Sequence, residues 1–142
     1  MRTIVVAVCV ALAGCGPVRY PGTPEDPPRM LAESDAARPI QLEPGKRITL
    51  RLEANHSTAH RWSLVQSGDA GLDQIGEPFY TTERGVAGGG GAEYWTFRAG
   101  RSGTKELRFE YGRPWEKPAA KVLTYTVNVQ AGDATMKRIG QQ

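Results

Sequence analysis

The chain has 142 residues, of which 23% are charged, and a formal net charge of +3. Lysine and arginine alternate with glutamate along the chain and do not gather in one segment, so a nucleic-acid partner is not expected. Once the two terminal segments described below are set aside, the length suits one domain of roughly 90 to 100 residues, which is large enough for one hydrophobic core.

The N-terminal segment has the pattern of an export signal. Arg2 is followed by an apolar run over residues 4–12 that is too short to span a bilayer. The run leads into Leu-Ala-Gly-Cys at residues 12–15, which resembles a bacterial lipobox, whose cysteine becomes the acylated N-terminus after cleavage. We therefore expect a lipoprotein signal peptide at residues 1–14 and lipid attachment at Cys15, with an ordinary signal peptide as the alternative.

Lipid attachment at Cys15 predicts where the protein resides. An acylated cysteine anchors the chain to a membrane of the bacterial cell envelope. Gly16 follows it, where inner-membrane lipoproteins often carry aspartate, so the outer membrane is favoured, on either its periplasmic or its outer face. The other cysteine, Cys9, is removed with the signal peptide, so the mature chain has no internal disulfide and depends on its hydrophobic core.

The segments that flank the domain are expected to be extended or polar. Residues 15–38 are predicted to be a proline-rich tether, because prolines recur from Pro17 onward and oppose both helix and sheet hydrogen bonding. An edge strand within residues 29–36 is the alternative. Residues 131–142 form a polar tail without a clear hydrophobic period.

Residues 39–130 are predicted to form the folded domain. Apolar and polar residues alternate there with the two-residue period of half-buried strands, most clearly at Ile48, Leu50 and Leu52. Further strands are expected at residues 62–64, 75–80, 95–97, 107–111 and 123–129. Six or seven short strands between glycine- and proline-containing turns predict an all-β protein, an immunoglobulin-like antiparallel β-sandwich without a disulfide.

Three segments between these strands carry residues that an ordinary turn does not require. The first loop reads Asn-His-Ser-Thr-Ala (55–59), the second Gly-Gly-Gly-Gly-Ala (88–92) and the third Gly-Arg-Pro-Trp-Glu (112–116). Together with Trp62 and the aromatic run at 94–97, they resemble the chagasin family of cysteine protease inhibitors. Loops of that family read Asn-Pro-Thr-Thr-Gly, Gly-x-Gly-Gly and Tyr-x-Arg-Pro-Trp-Glu in the same order, and the resemblance extends over residues 39–130.

The resemblance implies an inhibitor that occludes the active-site cleft of papain-like (family C1) cysteine proteases with its three loops. It implies protease contacts at Asn55, Ser57, Thr58 and Ala59 in the first loop, at Gly88, Gly89, Gly90, Gly91 and Ala92 in the second, and at Arg113, Pro114 and Trp115 in the third. In an immunoglobulin-like sandwich these loops emerge at one end. We expect no enzymatic activity, no cofactor and no metal site, and a monomeric protein.

Two of the loops have physical features that suit an interface. A run of glycines is costly to order, but its backbone can approach another protein closely and exchange main-chain hydrogen bonds. A flexible hairpin tip is the alternative. Trp115 lies in a loop where burial in its own core is difficult, which is typical of an interface anchor, unless it packs over Tyr111 or Tyr125. Two roles are possible for Arg113. It either forms an ion pair with carboxylates of the protease or braces its own loop through an ion pair with Glu116.

The first loop departs from the family pattern. His56, Ser57 and Ala59 stand where the family has proline, threonine and glycine. Without a proline at position 56 the backbone of the loop is conformationally less restricted. An alanine at position 59 is unfavourable if the backbone there needs a positive φ. Asn55 is expected to hold the shape of the loop through side-chain to backbone hydrogen bonds. These departures concern the affinity for a protease and not the assignment to the family.

Other classes of function fit the sequence less well. The two histidines, His56 and His60, lie outside any nucleophile or metal motif, and a metal pair at this spacing would need a helix. The competing hypothesis is a non-inhibitory envelope lipoprotein whose immunoglobulin-like domain binds carbohydrate or another envelope protein, with Trp115 and Tyr94 as stacking platforms.

Overall fold

The computed structural model of the protein describes residues 26–67, 71–84 and 88–131. Within these ranges the strands are β1 (Arg29–Leu31), β2 (Ile40–Leu42), β3 (Arg47–Ala54), β4 (Arg61–Ser67), β5 (Leu72–Gln74), β6 (Phe79–Thr82), β7 (Gly91–Ala99), β8 (Gly103–Gly112) and β9 (Lys121–Val129). Two 3-10 helices, Glu33–Ala37 and His56–Thr58, follow β1 and β3. The predicted signal peptide, Cys15 and the polar tail beyond residue 131 lie outside the described residues.

The strands form two packed sheets. One has the order β1-β3-β7-β5, with β6 also paired to β7, and the other has the order β2-β9-β8-β4. The prediction of an all-β sandwich is confirmed. Two edge pairs, β1 with β3 and β2 with β9, are parallel, so the expectation of purely antiparallel sheets is wrong there. The reason is that β1 and β2 reach their partners by crossovers, and a crossover can join parallel strands where a hairpin cannot.

The alternating sequence places apolar side chains between the sheets. On β3, Ile48, Leu50 and Leu52 are fully buried and face the second sheet, as their spacing predicts. No helix in the described ranges is long and apolar enough to cross a membrane.

Aromatic rings fill the centre of the core. The ring of Phe109 meets the rings of Trp95, Phe97 and Tyr125 nearly edge to face, at centroid distances of 5.2, 6.2 and 6.3 Å. Edge-to-face contacts add to the free energy gained from burial alone. Since Trp95 and Phe97 belong to one sheet while Phe109 and Tyr125 belong to the other, these contacts fix how the sheets face each other.

Residues 29–37 belong to the domain and not to the tether. Leu31 is 3% exposed within the core, and β1 pairs with β3. The tether prediction is therefore wrong for this segment, and the alternative of an edge strand is confirmed. The physical reason is that residues 29–38 contain no proline, so their N–H groups are available for hydrogen bonds.

The three loops lie at one end of the sandwich. Ala54, just before the first loop, pairs with Gly91 of the second loop, and Arg61, just after the first loop, pairs with Gly112 of the third. The chain enters at the opposite end, where Asp26 forms an ion pair with Lys46 in the turn before β3. The hydrogen bond from Lys46, helped by its charge, lowers the pKa of Asp26.

Tyr125 links the core to the crossover between β1 and β2. Its side chain is fully buried, and its hydroxyl donates a hydrogen bond of 3.1 Å to the carbonyl oxygen of Ala32. Burial raises the pKa of Tyr125 above its ordinary value, and the charges of Glu33 and Asp35 add to the shift. Because the unfolded phenol ionises near pH 10 while the folded one stays protonated, stability should fall as the pH rises above about 10.

Replacing Tyr125 by phenylalanine tests this link, because the ring is kept and only the hydroxyl is removed. We expect Tyr125→Phe to lower the free energy of unfolding by about 1 kcal/mol at neutral pH, since the hydrogen bond to the Ala32 carbonyl is lost and only the one from the Asp35 N–H remains there. We also expect the variant to lose less stability than the wild type between about pH 9 and about pH 11. Urea unfolding measures both effects, and a variant that behaves like the wild type at each pH would contradict the assignment.

Candidate functional site

The first loop is shaped by its own hydrogen bonds. Asn55 stands before the 3-10 helix His56–Thr58, and its side-chain oxygen accepts a hydrogen bond of 3.1 Å from the Ser57 N–H. The Asn55 carbonyl oxygen accepts from the N–H and from the hydroxyl of Thr58, at 3.2 and 2.8 Å. Such bonds cap a short helix. They confirm the prediction that Asn55 holds the shape of this loop.

Ala59 ends the first loop in the left-handed conformation, with φ 62° and ψ 11°. Its N–H donates to the carbonyl oxygen of His56 at 3.1 Å, which closes the turn. Among the described residues it is the only one other than glycine with a positive φ. This conformation costs an L residue about 1 to 2 kcal/mol. The alanine is therefore accommodated at a cost in stability.

The second loop begins with exposed glycines. Gly88 has a positive φ of 68°, which favours glycine, and it is exposed, as is Gly90. Gly89 between them is partly buried. The carbonyl oxygen of Gly90 accepts a hydrogen bond of 3.2 Å from the N–H of Glu83, so the loop continues the β6–β7 hairpin. Residues 85–87 lie outside the described ranges.

Gly91 and Ala92 belong to β7 and are buried. Ala92 is 2% exposed, and a Cβ at Gly91 would lie 2.0 Å from the carbonyl oxygen of Thr81 in β6. Only glycine allows β6 to approach so closely. Gly91 therefore has a packing role, and these two of the five predicted contact residues in the second loop are not accessible to a partner.

The third loop is braced by Arg113. The guanidinium donates from Nη1 to the Glu116 carboxylate at 2.9 Å and from Nε to the carbonyl oxygen of Thr58 at 3.1 Å. Of the two alternatives for Arg113, the structure shows bracing through Glu116. Trp115 is 72% exposed and does not pack over Tyr111 or Tyr125. Pro114 beside it is exposed as well.

The first and third loops are joined to each other, and the second loop lies beside the first. Arg113 bonds the third loop to the first through Thr58, and the Asn55 N–H donates to the hydroxyl of Tyr111 at 2.8 Å. A cleft of about 380 Å³ separates the first loop from the second, and Ala54, Asn55, Gly90 and Tyr111 contribute to its walls. The loops therefore share one end of the domain, and among their described residues Trp115 is the large apolar side chain that is exposed.

The hydroxyl groups of the first loop are bonded within the loop. The hydroxyl of Ser57 donates to the Asn55 side-chain oxygen at 2.5 Å, and that of Thr58 donates to the Asn55 carbonyl oxygen at 2.8 Å. In the ranges that the structure describes, no group of three or more histidine, cysteine, aspartate or glutamate side chains could hold a metal ion.

One residue near the first loop was missed by sequence reasoning. Glu93 lies on the inward face of β7 with Trp95 and Phe97 and is 5% exposed. Its carboxylate accepts hydrogen bonds from the Trp62 N–H at 3.1 Å and from the Trp95 indole N–H at 3.2 Å. The sequence did carry a signal, because Glu93 stands at an inward-facing position of a strand whose residues alternate between apolar and polar. A carboxylate that is buried there needs several hydrogen-bond donors, so the pattern predicts a hydrogen-bond network around it.

Comparison with known proteins agrees with this geometry. The model of the chagasin family of peptidase inhibitors (I42) matches residues 41–129. No curated protein sequence matches the chain significantly. A crystal structure of a cysteine protease inhibitor from Entamoeba histolytica is 20% identical, with a TM-score of 0.64, covering 72% of this chain and 95% of that one. The solution structure of amebosin is 26% identical, with a TM-score of 0.60, covering 73% and 99%.

The packing role of Gly91 is tested by a matched pair of substitutions. We expect Gly91→Ala to lower the free energy of unfolding by about 1 to 3 kcal/mol, because the new Cβ would overlap the Thr81 carbonyl of β6. A Cβ at the neighbouring Gly90 would lie 3.4 Å from the Ala54 carbonyl, so Gly90→Ala should be nearly neutral. Urea unfolding compares the two variants. Equal stability of both would show that β6 does not constrain position 91.

Proposed function

The chain belongs to the chagasin family of peptidase inhibitors, and we propose that it inhibits papain-like cysteine proteases by placing its three loops in the active-site cleft. Membership of this family makes the protein an inhibitor and not an enzyme. The observation that carries the proposal is the bond from Arg113 to the Thr58 carbonyl, which holds the first and third loops together beside the exposed Trp115.

Trp115 is the proposed anchor of the interface. An indole that is 72% exposed loses contact with water when it docks, and tryptophan is enriched among the residues that carry most of the binding energy. Pro114 fixes its own φ, and the bond between Arg113 and Glu116 holds the loop in shape. Less conformational freedom is then lost on binding, which favours affinity.

The first loop is proposed to lie over the catalytic centre of the protease without being cleaved. Its residues form a 3-10 turn, and the N–H groups of Ser57, Thr58 and Ala59 are all bonded within the loop. A protease cleft binds substrate as an extended strand. Because the turn is held closed by its own bonds, it does not present a peptide bond to the nucleophile in a geometry for attack.

The second loop is proposed to contribute main-chain contacts through residues 88–90. The exposed Gly88 and Gly90 have no side chain, so a second backbone can approach them closely and exchange hydrogen bonds. Gly91 and Ala92 are left out of the proposed contact surface because they are buried in β7.

We also propose a lipid anchor at Cys15 in the bacterial envelope, with an outer-membrane location. The proposal rests on the Leu-Ala-Gly-Cys sequence at residues 12–15 and on Gly16, and the geometry of the domain leaves room for it. The described chain begins at Asp26, at the end opposite the loops. Residues 16–25 could span at most about 35 Å when fully extended. The eight residues of β3 add about 27 Å between that end and the first loop. An anchored molecule can thus present its loops away from the membrane.

The alternative of a carbohydrate-binding lipoprotein receives no support from the aromatic residues. The ring of Tyr94 is stacked on the ring of Phe79 at 4.8 Å with an interplanar angle of 7°, so one of its faces is covered. Tyr94 also lies in β7 of one sheet, whereas Trp115 follows β8 of the other.

Inhibition of papain by the soluble chain from residue 16 tests the proposed activity, and Trp115→Ala tests the anchor. We expect micromolar protein to inhibit, and the substitution to raise the inhibition constant at least about tenfold because a central anchor is removed. Met30→Ala is the control, since Met30 is also exposed but lies on the β1 edge strand. Unchanged papain activity at micromolar protein would exclude the proposed function. An unchanged constant for Trp115→Ala would move the interface elsewhere.

Labelling with radioactive palmitate in bacterial cells tests the anchor. We expect the wild type to carry label and to sediment with the membranes, and Cys15→Ser to do neither, because a serine hydroxyl replaces the thiol that is acylated. Cys9→Ser is the matched control and should keep the label. Label retained by Cys15→Ser would contradict the proposed attachment site.

A further inference from the structure

A buried carboxylate lies directly beneath the first loop. Glu93 accepts hydrogen bonds from the Trp62 N–H and the Trp95 indole, and its Oε1 also lies 2.7 Å from Nε2 of His56. Glu93 belongs to the core strand β7, whereas His56 is the first residue of the 3-10 helix in the loop. The carboxylate therefore connects the core to the loop through one imidazole.

The neighbours of His56 determine where its ring proton lies. Nδ1 is 2.8 Å from Nη1 of Arg61, and a guanidinium can only donate, so Nδ1 must accept. The proton is then on Nε2, which donates to the Glu93 carboxylate. The imidazole thus bridges a buried anion and an exposed cation.

The ring of His56 is also held by stacking. It lies parallel to the ring of Tyr80 in β6, at 3.7 Å between centroids and 11° between planes. With Glu93 at one nitrogen, Arg61 at the other and Tyr80 on its face, the ring has a single position. Its side chain is 22% exposed, so these contacts are largely shielded from water.

The backbone of His56 closes the turn that the ring holds. Its carbonyl oxygen accepts the N–H of Ala59, the bond that keeps Ala59 in its unfavourable left-handed conformation. A proline at position 56 would restrict the backbone through its own φ. In this chain the contacts of the His56 side chain with Glu93, Arg61 and Tyr80 restrict the backbone of the loop instead.

We propose that His56 is a positioning residue for protease binding, which fixes the first loop to the core through the hydrogen bond from its Nε2–H to Glu93. The inference rests on the proposed inhibitory function, since it names the residue that prepares one of the binding loops. His56 need not touch the protease, because it acts through the position of Thr58 and Ala59.

Removal of His56 should affect the loop more than the fold. Glu93 keeps the donors from Trp62 and Trp95 after the imidazole is gone, and both of these belong to core strands. The matched substitutions are His56→Gln, whose amide can still donate to the carboxylate, and His56→Leu, which has similar bulk and no donor.

The first measurement uses the free mature chain and does not depend on any protease. Nitrogen-15 NMR should show the Nε2–H tautomer of His56. Amide exchange at Ala59 should be at least about tenfold faster in His56→Leu than in the wild type, and within about threefold of it in His56→Gln, because a hydrogen bond to a charged group is lost only in the first. An Nδ1–H tautomer, or equal exchange in all three proteins, would overturn the proposal.

The second measurement is the inhibition constant for papain. We expect His56→Leu to weaken inhibition at least about tenfold and His56→Gln to recover most of it, because only the second keeps the bond to Glu93. Faster exchange at Ala59 together with an unchanged constant would show that the position of the loop does not matter for binding, and would overturn the inference. If the wild type does not inhibit papain, the proposed function fails, and the role of His56 in binding fails with it, while the exchange data still show whether the ring fixes the loop.

Discussion

The hydrogen bonds of the buried Glu93 carboxylate connect the core of the sandwich to its first loop. Two donors come from core strands, through Trp62 and Trp95, and the third contact comes from His56 in the first loop. A carboxylate that is removed from water must be satisfied by such partners, so the positions of the surrounding groups are closely constrained. The shape of the first loop therefore depends on the register of β7 in the core.

From the first loop, hydrogen bonds extend to the third loop. Arg113 connects the first loop to the third, and the third loop presents Trp115 to solvent. At the opposite end of the domain, Asp26 forms an ion pair with Lys46. If the protein is anchored and inhibits as proposed, attachment and recognition lie at opposite ends of the fold. The bond between the first and third loops then reduces the conformational entropy lost on binding.

Much of this could be predicted from the sequence, and what could not depends on contacts between strands. Alternation predicted the buried face of β3, and the order of the three loops indicated the family. The parallel pairing of the edge strands β1 and β2 could not be predicted. Each strand has only three residues, and so short an alternation of apolar and polar residues does not indicate which strand it pairs with. The steric role of Gly91 depends on Thr81, whose approach only the pairing of β6 with β7 reveals. Glu93 carried a signal, its inward position beside Trp95, but two of its partners, Trp62 and His56, come from distant parts of the chain.

If the protein inhibits as proposed, the three loops at one end of the sandwich meet the protease together. Amide hydrogen exchange of the mature chain, with and without an inactivated papain, measures this joint contact. We expect slower exchange in the complex at residues 55–59, 88–90 and 113–116, and unchanged exchange in the turns at the opposite end, at residues 43–46 and 100–103, if all three loops make the contact. Protection at the opposite end, or in one of the three loops alone, would contradict it.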